Sequence, residues 1–138
     1  MEEVMLTPYL NFQGNTEEAL KFYRSVFGGE LELSRFGDFP NAPAGFEDKI
    51  MHGTLKGDDI SFMASEGMPG GTIVVGDNVN MSLSGVNEEK LANIFNSLAE
   101  GGNVIMPLAK QMWGDKFGML IDKFGIHWLV NITAKKDS

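Results

Sequence analysis

The chain contains no cysteine, an absence that excludes disulfide scaffolds, thiolate metal sites and cysteine nucleophiles. Histidine is nearly as scarce, with only His52 and His127. Positive charge is short too: 11 Lys and Arg stand against 19 Asp and Glu, for a formal net charge of -8. The basic residues form no stripe and the acidic surface repels phosphate backbones, so nucleic acid is not an expected partner. No apolar run approaches the roughly 18 residues that a membrane helix needs, and the first residues show no basic segment leading into an apolar one. A cytoplasmic protein with no membrane partner is expected. Serine elbows, paired-carboxylate signatures and phosphate loops are also missing.

What is present suits one ordinary domain. The chain has 138 residues, 43% hydrophobic and 22% charged, enough to bury roughly two thirds of its extended surface. The most legible stretch is Pro8 to Glu30, PYLNFQGNTEEALKFYRSVFGGE. Leu10 and Phe12 alternate with Tyr9 and Asn11, which predicts a strand over Leu6 to Phe12 with two different faces. Asn15 can cap a following helix and Glu18 can close a capping box. Ala19, Phe22 and Val26, flanked by Leu20, Tyr23 and Phe27, recur at helical spacing over about Thr16 to Phe27. Gly28 or Gly29 ends that helix.

Further along, a strand is predicted over Glu30 to Phe36, then a proline- and glycine-bearing loop from Gly37 to Asp48. Its aromatics, Phe39 and Phe46, either fold back onto the body or form a lid or partner contact. Lys49 to Leu55 and Ile60 to Ser65 make a hairpin around the turn KGDD. A glycine-rich linker follows, in which Ile73 to Val75 can form a brief strand or pack along an edge. The plan then returns. Val79, Met81 and Leu83 alternate with polar residues, Asn87 caps a helix with the stripe Leu91, Ile94, Phe95 and Leu98, and Gly101 and Gly102 end it. Strands are predicted at Asn103 to Leu108, Phe117 to Ile121 and Ile126 to Ile132, with Ala109 to Lys116 as a connection and a polar tail from Ala134. Asn15 thus recurs as Asn87, the pair Gly28 and Gly29 as Gly101 and Gly102, and Gly57 as Gly125.

The expected architecture is α+β: strand, helix and three strands, twice, within a single domain over 1–138. Module one spans about 5–66, the linker about 67–77 and module two about 78–133. Each helix covers one face of its sheet, and the opposite faces are left to enclose something.

Three segments carry a resemblance: PYLNFQGNTEEALKFYRSVFGGE at 8–30, KIMHGTLKGDDISFM at 49–63 and MWGDKFGMLIDKFGIHWLVN at 112–131. Their order resembles the vicinal oxygen chelate superfamily (glyoxalase, bleomycin resistance and dioxygenase proteins), and within it the PhnB-like branch. The resemblance implies paired βαβββ modules forming a curved, incompletely closed mixed sheet around a pocket, helices outside, and a homodimer. Members of the branch often carry a 3-demethylubiquinone-9 3-methyltransferase label. This chain has no glycine-rich strand-to-helix loop for a methyl donor, and no cofactor is expected. The superfamily's metal enzymes take a glutamate from the last strand, four residues after the glycine of the preceding turn. Here that count from Gly125 reaches Leu129, which cannot ligate a metal, so no metal is expected.

By strand alternation the pocket-facing candidates are Asn11, His52, Met63 and Ser82. His127 shares the parity of Leu129 and Asn131, whereas Trp128 has the opposite parity and belongs in the core. Trp113, beside Gly114 and Asp115, either closes one end of a pocket or simply packs. His52 is the weak candidate for a catalytic group, as a general base. Amides, a serine, imidazole and thioethers suit a small, partly apolar ligand. The leading expectation is a non-metal small-molecule-binding protein of unknown ligand. A lyase, isomerase or dioxygenase-like enzyme with a nonstandard metal site is an alternative, and a structural or regulatory homodimer with a vestigial pocket is another.

Overall fold

The computed structural model describes residues 4–67 and 71–134. Met1 to Glu3, Met68 to Gly70 of the expected linker and the tail from Lys135 lie outside the described residues. The chain divides into two compact units, Met1–Val74 and Val75–Ser138. In the first, β1 (Tyr9–Phe12), α1 (Thr16–Phe27), β2 (Glu30–Arg35), β3 (Ile50–Lys56) and β4 (Ser61–Glu66) form a sheet of order β1-β4-β3-β2. In the second, β5 (Met81–Gly85), α2 (Glu88–Ala99), β6 (Asn103–Lys110), β7 (Lys116–Ile121) and β8 (His127–Ile132) repeat the order as β5-β8-β7-β6. Each sheet is mixed: β1 pairs with β4 and β5 with β8 in parallel, and the other neighbours are antiparallel. The chain is α+β with the twice-repeated βαβββ plan, and neither sheet closes into a barrel among the described residues.

Each helix lies on its own sheet where a side chain is missing. At Gly53 in β3 a Cβ would sit 2.5 Å from Leu20 Cδ1, and at Gly118 in β7 it would sit 2.8 Å from Phe95 Cε2. Without a Cβ, the sheet lets the helix approach closely and bury its stripe. Ala19, Leu20 and Tyr23 are buried in α1, with Tyr23 edge-on to Phe62 at 5.3 Å. Phe22, Val26 and Phe27 are only half-buried, so the stripe is centred closer to Leu20 than alternation suggests. In α2 the buried residues are Leu91, Phe95 and Leu98.

The caps differ between the repeats. Asn87 Oδ1 accepts from Lys90 N at 3.0 Å, as expected. Asn15 makes no side-chain cap. The carboxylate of Glu66, 8% exposed at the end of β4, does the work instead, accepting from Gly14 N at 2.6 Å and Thr16 N at 3.4 Å. A charged acceptor satisfies the free amides more strongly than a neutral amide oxygen does.

Other boundaries move. Leu6 is 98% exposed and β1 starts only at Tyr9. Ile73 to Val75 forms no strand. The Gln13 side chain holds that segment, donating to Gly71 O and accepting from Ile73 N, both at 3.3 Å. β6 runs to Lys110 despite Pro107, because register shifts on both sides of Met106 absorb the misfit. In the 37–48 loop, Phe46 folds back edge-on to Phe36 at 5.6 Å, while Phe39 stays 48% exposed. No helix among the described residues is long and apolar enough to cross a membrane.

Candidate functional site

Strand register fixes which residues share the sheet face turned away from each helix. In the first unit Leu10, Ala64, Gly53 and Leu33 are neighbours across the sheet, and Gly53 lies under α1. The flanking rows therefore face the other way. One is Tyr9, Met63, Thr54 and Glu32; the second pairs Asn11 with Ser65 and His52 with Ser34. Asn11, His52 and Met63 thus share one open face.

That face is a polar platform. The Tyr9 hydroxyl lies 3.2 Å from His52 Nδ1, and Thr54 Oγ1 lies 3.3 Å from His52 Nε2. In the neutral ring with the proton on Nε2, Tyr9 O–H donates to Nδ1 and Nε2–H donates to Thr54. Beside them, Ser65 Oγ donates to Asn11 Oδ1 at 3.2 Å. Tyr9 and Thr54 were not singled out in the sequence, although both share the strand parity that marked Asn11 and His52.

The second unit places different chemistry at the equivalent positions. Leu83, Val130 and Gly118 form the row under α2. The open face consists of Ser82, Leu129, Met119 and Met106, then Ser84, Asn131, Phe117 and Ala109, with His127 beside Ile121. Ser82, His127, Leu129 and Asn131 are therefore together. Trp113, 61% exposed, joins them through an edge contact to Phe117 at 6.3 Å. Asn131 Nδ2 donates to Asp115 Oδ2 at 3.2 Å, and Ala134 N donates to Asp115 Oδ1 at 3.0 Å. The Ala134 N–H first, and then the Asn131 amide, hold the Asp115 carboxyl below the ordinary carboxylate range.

Trp128 belongs elsewhere. It is 1% exposed, and its indole N–H donates to Asp122 Oδ2 at 2.8 Å. The core assignment from parity holds.

Two implied groups are not accommodated. A metal centre would need donors where the second open face offers Leu129, Met119 and Phe117. On the first open face both nitrogens of His52 are already engaged. Among the described residues no three His, Asp or Glu side chains converge. A methyl donor bound in the manner of a nucleotide would need free amides at a glycine-rich turn. The β1–α1 turn is Gln13, Gly14 and Asn15, and the Glu66 carboxylate takes the Gly14 amide together with that of Thr16 at the helix start.

Comparison with known proteins agrees with this architecture. The family described as 3-demethylubiquinone-9 3-methyltransferase matches residues 4–131. The crystal structure of protein PA1353 from Pseudomonas aeruginosa is 39% identical, covers 96% of this chain and 100% of its own, and superposes with a TM-score of 0.87. The PhnB protein from Bacillus cereus is 27% identical, with coverage of 94% and 100% and a TM-score of 0.78. A glyoxalase/bleomycin resistance protein from Albidiferax ferrireducens is 12% identical, with coverage of 95% and 100% and a TM-score of 0.61, a likeness of fold alone.

Proposed function

The chain belongs to the 3-demethylubiquinone-9 3-methyltransferase family, and we propose that it is a small-molecule-binding protein of the glyoxalase/bleomycin resistance type that works without metal or methyl donor. The observation that carries this reading is the composition of the two open sheet faces. The first combines hydroxyl, amide and imidazole groups with Met63 and Glu32, and the second sets Ser82, Ser84, Asn131 and His127 among thioether, aliphatic and aromatic side chains. Of the strand residues named on the two faces, Glu32 carries the formal charge. Such surfaces hold a neutral, partly apolar molecule through a few directed hydrogen bonds and apolar contact. Each face is a candidate surface in its own unit: Asn11, His52 and Met63 line the first, and Ser82, Trp113, His127, Leu129 and Asn131 line the second. The protein acts as a cytoplasmic homodimer in this reading.

A second reading, an enzyme, draws on the Tyr9–His52–Thr54 chain, in which an imidazole between two hydroxyls can move a proton. Metal content separates the two. Protein purified without chelator is subjected to elemental analysis, then titrated with zinc, nickel, manganese and iron. Binding without metal requires background content and no saturable titration. A near-stoichiometric metal lost in His52→Ala overturns the proposal in favour of the enzyme.

A further inference from the structure

Two carboxylates are buried among the described residues, Glu66 and Asp122. Asp122 is surrounded by three N–H donors. Glu66 meets only the amides of Gly14 and Thr16, the second at 3.4 Å, although a carboxylate offers about four acceptor positions. With Gly14, Phe46, Lys49 and Gly71 it lines a cavity of about 210 Å³. Glu66 pairs with Phe12 and has the parity of Ala64, so its side chain is on the α1 side of the sheet, opposite the face of Asn11, His52 and Met63. Lys49 is half-buried, yet its ammonium makes no ion pair among the described residues. Two opposite charges thus line one cavity without meeting. Each is anchored where it stands: Lys49 N donates to Phe46 O at 2.9 Å and Phe36 N to Lys49 O at 3.0 Å, while the Glu66 carboxylate is tied to the start of α1.

We infer that this cavity is a second ligand site, separate from the open sheet faces, and that it takes a small zwitterion bearing an ammonium and a carboxylate, as an amino acid does. The ligand's ammonium donates to the spare positions of Glu66, and its carboxylate accepts from Lys49, both charge-assisted bonds. Charge selects this class. A simple cation would sit beside Lys49 and a simple anion beside Glu66, each a like-charge contact in partly desolvated space. Lys49 and Glu66 cancel, so a net-neutral ligand leaves neither charge unbalanced. Volume sets the size. The cavity falls below the roughly 300–1,000 Å³ of drug-sized sites and equals about seven waters' share of liquid volume, which suits a molecule of roughly five to eight non-hydrogen atoms. Phe46, held edge-on to Phe36 at 5.6 Å, supplies an apolar wall for its carbon chain.

The test is an amide NMR titration of the full chain with glycine, β-alanine and γ-aminobutyrate, reading the signals of Gly14, Gly67 and Gly71, which border the cavity. Ethylamine and acetate, the two halves of such a ligand, are titrated in parallel. Each runs to about 100 mM, a hundred times a weak millimolar Kd. At least one amino acid should give saturable shifts at these glycines. Either half-ligand should bind at least about 10-fold more weakly, and so should the amino acid to Lys49→Met, because each loses a charge-assisted bond. Glu66→Gln should weaken binding likewise. Glu66 also holds the start of α1, so Lys49→Met carries the test if that variant unfolds, and the half-ligand comparison needs no variant at all. No saturable shift at these glycines, equal binding of ethylamine or acetate, or undiminished binding to folded Lys49→Met overturns the inference. Because the open faces use other residues, such a result leaves the proposed function standing.

Discussion

Asp122→Asn isolates one buried group and should destabilise the second unit without changing its shape. Asp122 is 3% exposed, and its carboxylate has three N–H donors to satisfy. Oδ1 accepts from Phe124 N at 2.8 Å and Ile126 N at 3.1 Å, and Oδ2 accepts from the Trp128 indole at 2.8 Å. Asparagine has one carbonyl oxygen. If that oxygen keeps the two backbone amides, the new NH₂ group faces the indole N–H, donor against donor. If it serves the indole, the turn amides lose their acceptor. Either way a buried donor loses its bond to a charged acceptor, worth about 1.5–3 kcal/mol. The expected loss is about 2–4 kcal/mol, a large fraction of a domain's typical stability. Both tryptophans, Trp113 and Trp128, lie in the second unit. Urea unfolding followed by tryptophan fluorescence therefore reads the correct unit, and the midpoint should fall at unchanged slope. A loss below about 0.5 kcal/mol, the range of ordinary surface substitutions, would refute the reasoning.

Further predictions address the caps, the glycines and one carboxyl. Asn87→Ala should cost about 1 kcal/mol in urea unfolding and Asn15→Ala well under half of that, because only Asn87 caps its helix. Glu66→Ala, which removes the acceptor of the Gly14 and Thr16 amides, should cost more than Asn15→Ala. Gly118→Ala should cost about 2–3 kcal/mol, since its Cβ would meet Phe95 and the Leu108 backbone; Gly53→Ala should cost less, because it meets only the ends of Leu20 and Leu33. Hydrogen bonds from Arg35 and then Lys21 lower Glu17 from 4.5 to about 2. Its folded value is depressed, so the stabilisation is fully present above about pH 4.5 and is lost as pH falls through about 2. A carboxyl NMR titration should show that low value in wild type and a return towards 4.5 in Arg35→Met.

The repeated βαβββ plan was legible because its signals are local: helical spacing between glycine stops, and alternation in each strand. Alternation also put Asn11, His52 and Met63 on one face, and Trp128 opposite Leu129, because no bulge interrupts β8. What escaped depends on residues distant in the chain. Nothing near Asn15 signals that Glu66, from another strand, will take the amides of Gly14 and Thr16. Asp122 reads as a turn residue, and only the fold brings the Trp128 indole to it. The strand expected over Asn103 to Leu108 runs two residues further, to Lys110, with register shifts on both sides of Met106. The imidazole between Tyr9 and Thr54 required the pairing of three strands to bring it together.

The most direct test of a metal-independent binding role is a thermal-shift titration in EDTA, using neutral aromatic, quinone-like and amide-bearing small molecules. At least one class should give a saturable rise, approaching the stabilisation of about 2.7 kcal/mol expected at 100 times Kd. The rise should shrink in one of two folded variants, Asn11→Ala for the first unit's face or Trp113→Ala for the second's. No saturable shift from any class, or a shift that appears only when a divalent metal is restored, would contradict the account.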